Sequence, residues 1–497
     1  MKNIILQKIK EYSYTDKIAL NESGIEESFG KLEIISNNMA QYLRKKLNGK
    51  KQVPIVIYQK RGIKFIEFII AVMKCNCYYI PFEDNTPLER VQYVCEDIRA
   101  EFVLTDSKNV KFEESCTIID LPEGGDKTVF LETDDVEEND LVYVMYTSGT
   151  SGRPKGVKIK YVNLENLILS FNDILYYKFT HSINVGVMAS FSFDASVKQI
   201  FNALYYGHTL CIANSTVKYF GRKIHSFHQK YNLTVCDLTP SHLKLMIMQS
   251  TQTKSHIPYL IVGGEKLSWS LLNQYVKFTQ YIPEFINVYG PTECCVDVTY
   301  NCITENELIE HKDGDVPIGK PLKNTSIIIR GTSNEVIVEA NKKGELCITG
   351  RQVGNGYVNI VSESFTQDSD EVEYHSGDIA YYNEEGDIII VGRKDRQVKI
   401  NGNRVELDEI TKVIERYLNL MCTVIYIHKE DKDILGAYVV SDPISKKEKI
   451  GLDKYLKDRL PSYMIPNYFV FDNNLPLTSN GKIDEKKIRS LIEKKES

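Results

Sequence analysis

LVYVMYTSGTSGRPKG, residues 141–156, is the stretch on which the fold turns. Leu141 to Thr147 is a short, apolar, β-rich run that suits a buried strand. The loop that follows, Ser148 to Gly156, offers hydroxyls, glycine-freed backbone N–H groups and Lys155, which together are what a polyphosphate needs. It is not a Walker A loop, because Lys155 follows Pro154 and precedes Gly156 instead of standing between glycine and Ser/Thr. By composition alone, a Gly/Ser/Thr loop reads as an ordinary turn. Downstream, Leu164, Leu167, Ile168, Phe171, Ile174 and Leu175 form one apolar helical face, with Asn163 as the expected N-cap. The sequence therefore predicts strand, loop and helix in succession.

Working outward, strand-like and helix-like segments alternate through roughly the first 390 residues, the pattern of an α/β architecture. No internal repeat or low-complexity linker interrupts it. The remainder reads as a small α+β unit. Leu407 to Leu418 carries Ile410, Val413, Ile414 and Leu418 on one face; β-rich runs Cys422–Ile427 and Ile434–Val440 flank a charged turn, His428–Asp433; a polar helix spans Lys447–Leu460. The boundary falls near Asp395, inside the charged stretch Gly392–Arg396.

Composition narrows the class. The chain has 497 residues, 42% of them hydrophobic, enough for a large core that needs neither disulfides nor metal. A net charge of −6 with interspersed lysines argues against nucleic-acid binding. Eleven cysteines, spaced irregularly and without a CxxC, read as reduced thiols. The N-terminus lacks a sustained apolar region, and the longest apolar run, Phe65 to Met73, is short and holds Glu67. These features predict a cytoplasmic protein with neither a membrane nor a nucleic-acid partner.

At the glycine-rich loop the chain resembles the adenylate-forming (ANL) superfamily of acyl-CoA synthetases, luciferases and nonribosomal-peptide adenylation domains. Eight stretches appear in that family's order: residues 73–106, YTSGTSGRPKG (146–156), SFDAS (192–196), NVYGPTE (287–293), GELCITG (344–350), YHSGD (374–378), GRKDRQVKINGNRVELDEI (392–410) and LPLTSNGKID (475–484). Their wording is most similar to the amino-acid-activating members. The resemblance implies a large N-terminal adenylation core (1–394) with two main α/β sheets and a β-rich subdomain. A small mobile α+β lid (395–497) follows, hinged near Asp395.

The resemblance also implies site roles. Thr147, Ser148, Gly149, Thr150, Ser151, Gly152 and Lys155 would hold the β/γ-phosphates of ATP, and Thr292 and Glu293 the α-phosphate and Mg2+, with Glu293 as metal ligand, since a hard cation wants such oxygens. Tyr289 would stack on adenine and Asn287 bond its edge, with Gly264, Glu265 and Gly290 completing the ATP set. Asp378 would accept the ribose hydroxyls, assisted by Arg393. Lys482 would bridge the substrate carboxylate and the α-phosphate, aiming positive charge at an anion-on-anion attack. Lys399 and Gly402 would face the thiol in the second half-reaction. Taken singly, Asp378 reads as a turn aspartate, Lys482 as an exposed lysine past a turn, and Glu293 as a helix-start acid. The chain departs from the family pattern at Ser151, His375, Asn355, Asn401, Asp408 and Cys75–Cys77, and the changes at Asn401 and Asp408 bear on the second half-reaction.

Asp194 matches the aspartate that binds the substrate α-ammonium, and aligning the motifs gives a pocket of Asp194, Ala195, Lys198, Asp237, Ile261, Gly263, Val288, Val296, Asp297 and Lys482. This set is similar to that of modules activating L-glutamate; the glutamine-type set has a neutral amide at Lys198. A buried lysine wants an anion, which a γ-carboxylate supplies, although Asp237 and Asp297 could pair with it instead and charge counting also allows a basic substrate. The chain ends fifteen residues after Lys482 (497 − 482) with no carrier segment, so the expected acceptor is a separate phosphopantetheinyl carrier protein. A small helper protein is a further partner the resemblance allows. Rival readings remain: a D-alanine–carrier protein ligase, an acyl- or aryl-CoA synthetase, and, from another class, a non-catalytic nucleotide-binding protein. A nicotinamide-dependent oxidoreductase is weakest, because the glycines of 350–356 have the wrong spacing for a dinucleotide loop.

Overall fold

The computed structural model describes residues 2–107, 110–112, 116–119, 135–149, 153–249, 256–368, 371–400, 402–429, 432–477 and 483–496. They fall into two compact units: Met1–Asp84, Cys95–Met145 and Gly156–Lys394 in the first, Asn85–Val94, Tyr146–Lys155 and Asp395–Ser497 in the second.

The first unit is mixed α/β, as its alternating pattern predicts. A nine-stranded sheet runs in the order Lys320–Pro321, Thr299–Ile303, Glu284–Tyr289, Tyr259–Val262, Val235–Leu238, Asn184–Val187, Thr209–Ile212, Ile18–Glu22, Ile25–Ser28. Its six inner strands, from Glu284–Tyr289 to Ile18–Glu22, are mutually parallel. Strand order reverses at Asn184–Val187, since Thr209–Ile212 lies on one side of it and Val235–Leu238 on the other. Such a switch point opens a crevice at the carboxyl ends of parallel strands, where open α/β sheets bind ligands.

A six-stranded sheet has the order Thr117–Ile119, Phe102–Leu104, Pro54–Gln59, Tyr78–Glu83, Leu141–Thr147, Lys155–Lys160. The apolar run at Phe65–Met73 becomes the helix Ile63–Lys74, whose residues from Phe65 onward are all buried, which explains why the pattern is apolar all round. No helix among the described residues is long and apolar enough to cross a membrane. A five-stranded sheet (Thr325–Arg330, Gly344–Gly350, Glu371–Tyr382, Phe365–Asp368 and Ile388–Arg393) forms the β-rich part.

Two local expectations need correction. The loop after Thr147 ends two residues earlier than read, because Lys155 and Gly156 already belong to the strand Lys155–Lys160. That strand runs directly into the helix Tyr161–Ile174, so Lys160, not Asn163, is the N-cap. Asn163 sits inside the first turn; its Oδ1 accepts the Lys160 N–H at 2.8 Å and its amide donates to the Arg351 and Val353 carbonyls. A cap-type residue here serves the helix start from the third helical position.

In the second unit, the hairpin Gln397–Ile400/Asn403–Glu406 precedes the helix Leu407–Leu418. Three strands follow, Cys422–Lys429, Lys432–Val440 and Tyr468–Asp472. The strands pair as far as Lys429 and Lys432, so His428 and Asp433 stand in the ladder and not in the turn expected there.

Candidate active site

The first unit gathers two groups of expected residues, one near the carboxyl ends of its parallel strands and one joining the strand Glu284–Tyr289 to the five-stranded sheet. Lys198 lies on the helix Ala195–Tyr205, Asp237 on Val235–Leu238, and Asp297 just beyond the short turn Thr292–Cys294. The Lys198 Nζ is 2.8 Å from an oxygen of Asp237 and 2.8 Å from an oxygen of Asp297. All three are buried, at 3%, 10% and 6% side-chain exposure, so the ammonium has exchanged water for two carboxylates. Burial opposes its charge, but the two carboxylates outweigh that and raise its pKa. Asp237 is also raised, by burial first and then by Asp297, against the opposing pull of Lys198. Asp194 occupies the N-cap position of the same helix without making a side-chain capping bond. It is one turn before Lys198, so the two project from one face.

The backbone that presents Asp297 is strained. Cys295 and Val296 have φ of 51° and 76°, and the Asp297 N–H donates to the Cys295 carbonyl at 3.1 Å. A β-branched residue at positive φ is an outlier that surrounding structure must hold. Gln352 does so: its buried amide donates to the Cys294, Cys295 and Asp297 carbonyls, and its Oε1 accepts from Asn166 at 2.8 Å. Neither Gln352 nor Asn166 is singled out by the sequence; Gln352 lies in the glycine-bearing stretch 350–356 discounted as a dinucleotide loop. Gly263 follows the strand Tyr259–Val262, and a Cβ there would stand 2.6 Å from Val288 Cγ2 and 2.9 Å from the Val288 carbonyl oxygen. Ile261 is the register partner of Asp237, which brings Ile261, Gly263, Val288, Val296 and the ionic triad into one region.

The second group is Tyr289, Asp378 and Arg393. The Tyr289 hydroxyl donates to Asp378 Oδ2 at 2.5 Å, and Arg393 Nη1 donates to Oδ1 at 2.9 Å. Asp378 and Arg393 are register partners on neighbouring strands, which fixes their pairing. Burial, then the adjacent carboxylate, hold the Tyr289 hydroxyl well above an ordinary phenol. A carboxylate served by two hydroxyl- or guanidinium-type donors is equipped to exchange one for a vicinal diol. Asn287 is buried and donates to the Pro317 carbonyl at 2.8 Å. Gly264 has φ of 82°, and Glu265 accepts from both the N–H and the hydroxyl of Ser241. Glu293, fully buried beside Thr292, accepts from the Tyr357 hydroxyl at 2.6 Å. Its carboxylate is a hard oxygen donor of the kind Mg2+ takes.

The remaining expected residues belong to the second unit or lie outside the described residues. Ser148 donates to the Arg404 carbonyl and accepts the Glu406 N–H, while the Gly149 N–H donates to Glu409 Oε2 at 3.1 Å. Glu409 also pairs with Arg90 at 2.8 Å, both buried. The described part of the glycine-rich loop thus has its anion-type donor aimed at a carboxylate of its own unit. Lys155 lies near Glu406 and helps to stabilise that buried carboxylate. Asp395 accepts from the Gln397 N–H, and Lys399 and Gly402 lie in the Gln397–Glu406 hairpin, Gly402 at φ 76°. Thr150, Ser151, Gly152 and Lys482, with Asn401, lie outside the described residues.

Comparison with known proteins follows the same lines. A family model described as AMP-binding enzyme matches residues 9–358. Surfactin synthase subunit 1 of Bacillus subtilis (strain 168) is 33% identical over 479 residues, covering 93% of this chain and 13% of that protein. Zwittermicin A synthase ZmaJ of Bacillus cereus is 32% identical over 473 residues, covering 92% of this chain and 88% of the relative. The chain therefore spans a small part of the first of these and most of the second. Among solved structures, holo-PA1221, an NRPS protein containing adenylation and PCP domains, superposes with a TM-score of 0.83 at 20% identity, covering 98% of this chain and 84% of that one. At that identity the likeness speaks for the fold.

Proposed function

Since this chain belongs to the AMP-binding enzyme family, and is an ATP-dependent, AMP-forming ligase, we propose that it adenylates L-glutamate and passes the glutamyl group to the phosphopantetheine thiol of a separate carrier protein. An amino acid as the substrate class is supported by the relatives, a surfactin synthase and a zwittermicin A synthase by name, and by the structural neighbour holo-PA1221, an NRPS protein containing adenylation and PCP domains. The observation that carries the finer reading is the buried Lys198 one helical turn beyond Asp194. Four residues of helix rise about 6 Å, a separation that an extended glutamate bridges between its α-ammonium and its γ-carboxylate. Asp194 then takes the ammonium and Lys198 the side-chain carboxylate.

In the first step a substrate carboxylate oxygen attacks the α-phosphorus of ATP. The new C–O–P bond forms as the bond to the β-phosphate oxygen breaks, and pyrophosphate leaves with that electron pair. Asp378 and Arg393 hold the ribose, Tyr289 the adenine, and the glycine-rich loop with Lys155 the leaving phosphates. Lys482 neutralises the charge that develops as two anions meet. Glu293, with Thr292, would hold Mg2+, which when bound neutralises phosphate charge. In the second step the thiol sulfur attacks the carbonyl carbon, AMP departs, and the thiol proton is released to solvent.

Trapping tests both steps. With ATP, Mg2+ and hydroxylamine, glutamate should give its hydroxamate in preference to other amino acids. Supplying pantetheine in place of hydroxylamine should give glutamyl-pantetheine, with CoA a poorer acceptor. Hydroxamate from D-alanine, or thioester from CoA and a simple acid, would instead favour the corresponding rival enzyme.

A further inference from the structure

We propose that the pocket takes up one proton with its substrate: the glutamate γ-carboxylate enters beside Lys198 as Asp237 becomes protonated, and the two carboxyl groups then share that proton next to the ammonium. The inference rests on the glutamate reading above.

Its basis is the charge count of a buried cluster. One ammonium lies between two carboxylates, each 2.8 Å away, so the empty triad carries a formal charge of −1. A third carboxylate would bring it to −2, since the other cation assigned to the pocket, Lys482, is committed to the α-carboxylate and the α-phosphate. Like charges sharing a dry site do not both stay ionised; one takes a proton and donates it to the other. The oxygens facing Lys198, Oδ2 of Asp237 and Oδ2 of Asp297, are enclosed and each 2.8 Å from its ammonium, so the charge that the substrate carboxylate adds falls in a dry site.

Asp237 is the better proton carrier of the two. It lies within a parallel sheet, flanked by the strands Asn184–Val187 and Tyr259–Val262, with Ile261 as its register partner. The titratable and polar groups that reach it are Lys198 and Gln199 from the helix Ala195–Tyr205, Asp297 from the strained turn, Tyr176 from the segment after the helix Tyr161–Ile174, and Cys236 from its own strand. Tyr176 and Cys236 are both held neutral by burial and by Asp237 itself, so neither can supply charge compensation. Burial and Asp297 already bias Asp237 towards its protonated form. Uptake of a proton there is the change that leaves the triad at its original charge after the substrate carboxylate has bound.

The test compares glutamate with glutamine in ATP–pyrophosphate exchange by the intact chain between about pH 6.5 and 8.5. Coupled uptake of one proton makes the KM for glutamate rise about tenfold per pH unit relative to that for glutamine. Titration of the α-ammonium is common to both substrates and cancels in the ratio. Asp237→Asn, which offers a permanent N–H donor, should bind glutamate with a KM ratio that no longer changes with pH. Calorimetric binding of glutamate to the unaltered chain in buffers of different ionisation enthalpy should show about one proton absorbed, which keeps the test decisive if the variant does not fold. Parallel pH profiles and zero proton uptake, with glutamate still activated, would overturn the proton coupling alone. Exchange with lysine or ornithine but not glutamate would overturn the substrate reading, and this inference with it.

Discussion

Replacing Lys198 by glutamine removes the one cation of the pocket triad while keeping an N–H donor on a side chain one atom shorter, and its consequences can be sized from the structure. The ammonium is buried and equidistant, at 2.8 Å, from Asp237 and Asp297. Breaking a buried pair by deleting one partner costs about 3–5 kcal/mol, because the other partner is left charged and dry. The two N–H groups of glutamine recover roughly 1 kcal/mol each, which leaves a net loss of about 1–3 kcal/mol in a urea melt. Selectivity should move further. Exchanging a charge-assisted hydrogen bond to the substrate carboxylate for a neutral one forfeits about 1.5–3 kcal/mol for glutamate. The ratio of kcat/KM for glutamate over glutamine should therefore fall about 10- to 150-fold. Pyrophosphate exchange at saturating ATP reads that ratio. A ratio unchanged within about twofold, in a variant that still melts cooperatively and keeps its KM for ATP, would refute the pairing of Lys198 with the substrate.

Further outcomes follow from other contacts. Asp378→Asn keeps the shape but loses the charge that Tyr289 and Arg393 serve; the KM for ATP should rise about 10- to 100-fold, with amino-acid selectivity unchanged. Gln352→Ala removes the amide nitrogen that three carbonyls of the turn share, the turn that holds Val296 at φ 76°; it should cost about 1–3 kcal/mol and raise the KM for the amino acid more than that for ATP. Glu67, buried beside Glu27, has its carboxyl pushed up to about 8 by burial and then by Glu27. A carboxyl whose pKa is higher folded than unfolded stabilises fully below about pH 4.5, and that contribution is lost as pH rises through about 8. Urea midpoints should decline from pH 5 to 9, and Glu67→Gln should flatten the decline.

Much of the fold was legible because it is written in local pattern. The apolar run before the glycine-rich loop, the periodic helix after it and the α/β alternation each describe one element and its burial. The boundary between Lys160 and Tyr161 was not, because a strand passes into a helix with no intervening loop and Asn163 acts from inside the first turn. The candidate site divides the same way. Lys198, Asp237 and Asp297 stand out as residues, but nothing in their spacing says that one ammonium bridges both acids, since they come from a helix, a strand and a turn. Gln352 carries no signal at all: a lone glutamine between glycines acquires meaning only when the chain folds its amide against three carbonyls. Two consecutive non-glycine residues at positive φ, Cys295 and Val296, likewise leave no trace in composition.

The measurement that tests the central claim most directly is ATP–pyrophosphate exchange by the intact chain across the amino acids, D-alanine and a few aryl acids, with Lys482→Ala alongside. Strong exchange with L-glutamate, abolished in the variant, is the result this account predicts. Exchange driven by a different acid would contradict the pocket reading, and no exchange with any acid would contradict the proposed adenylation itself.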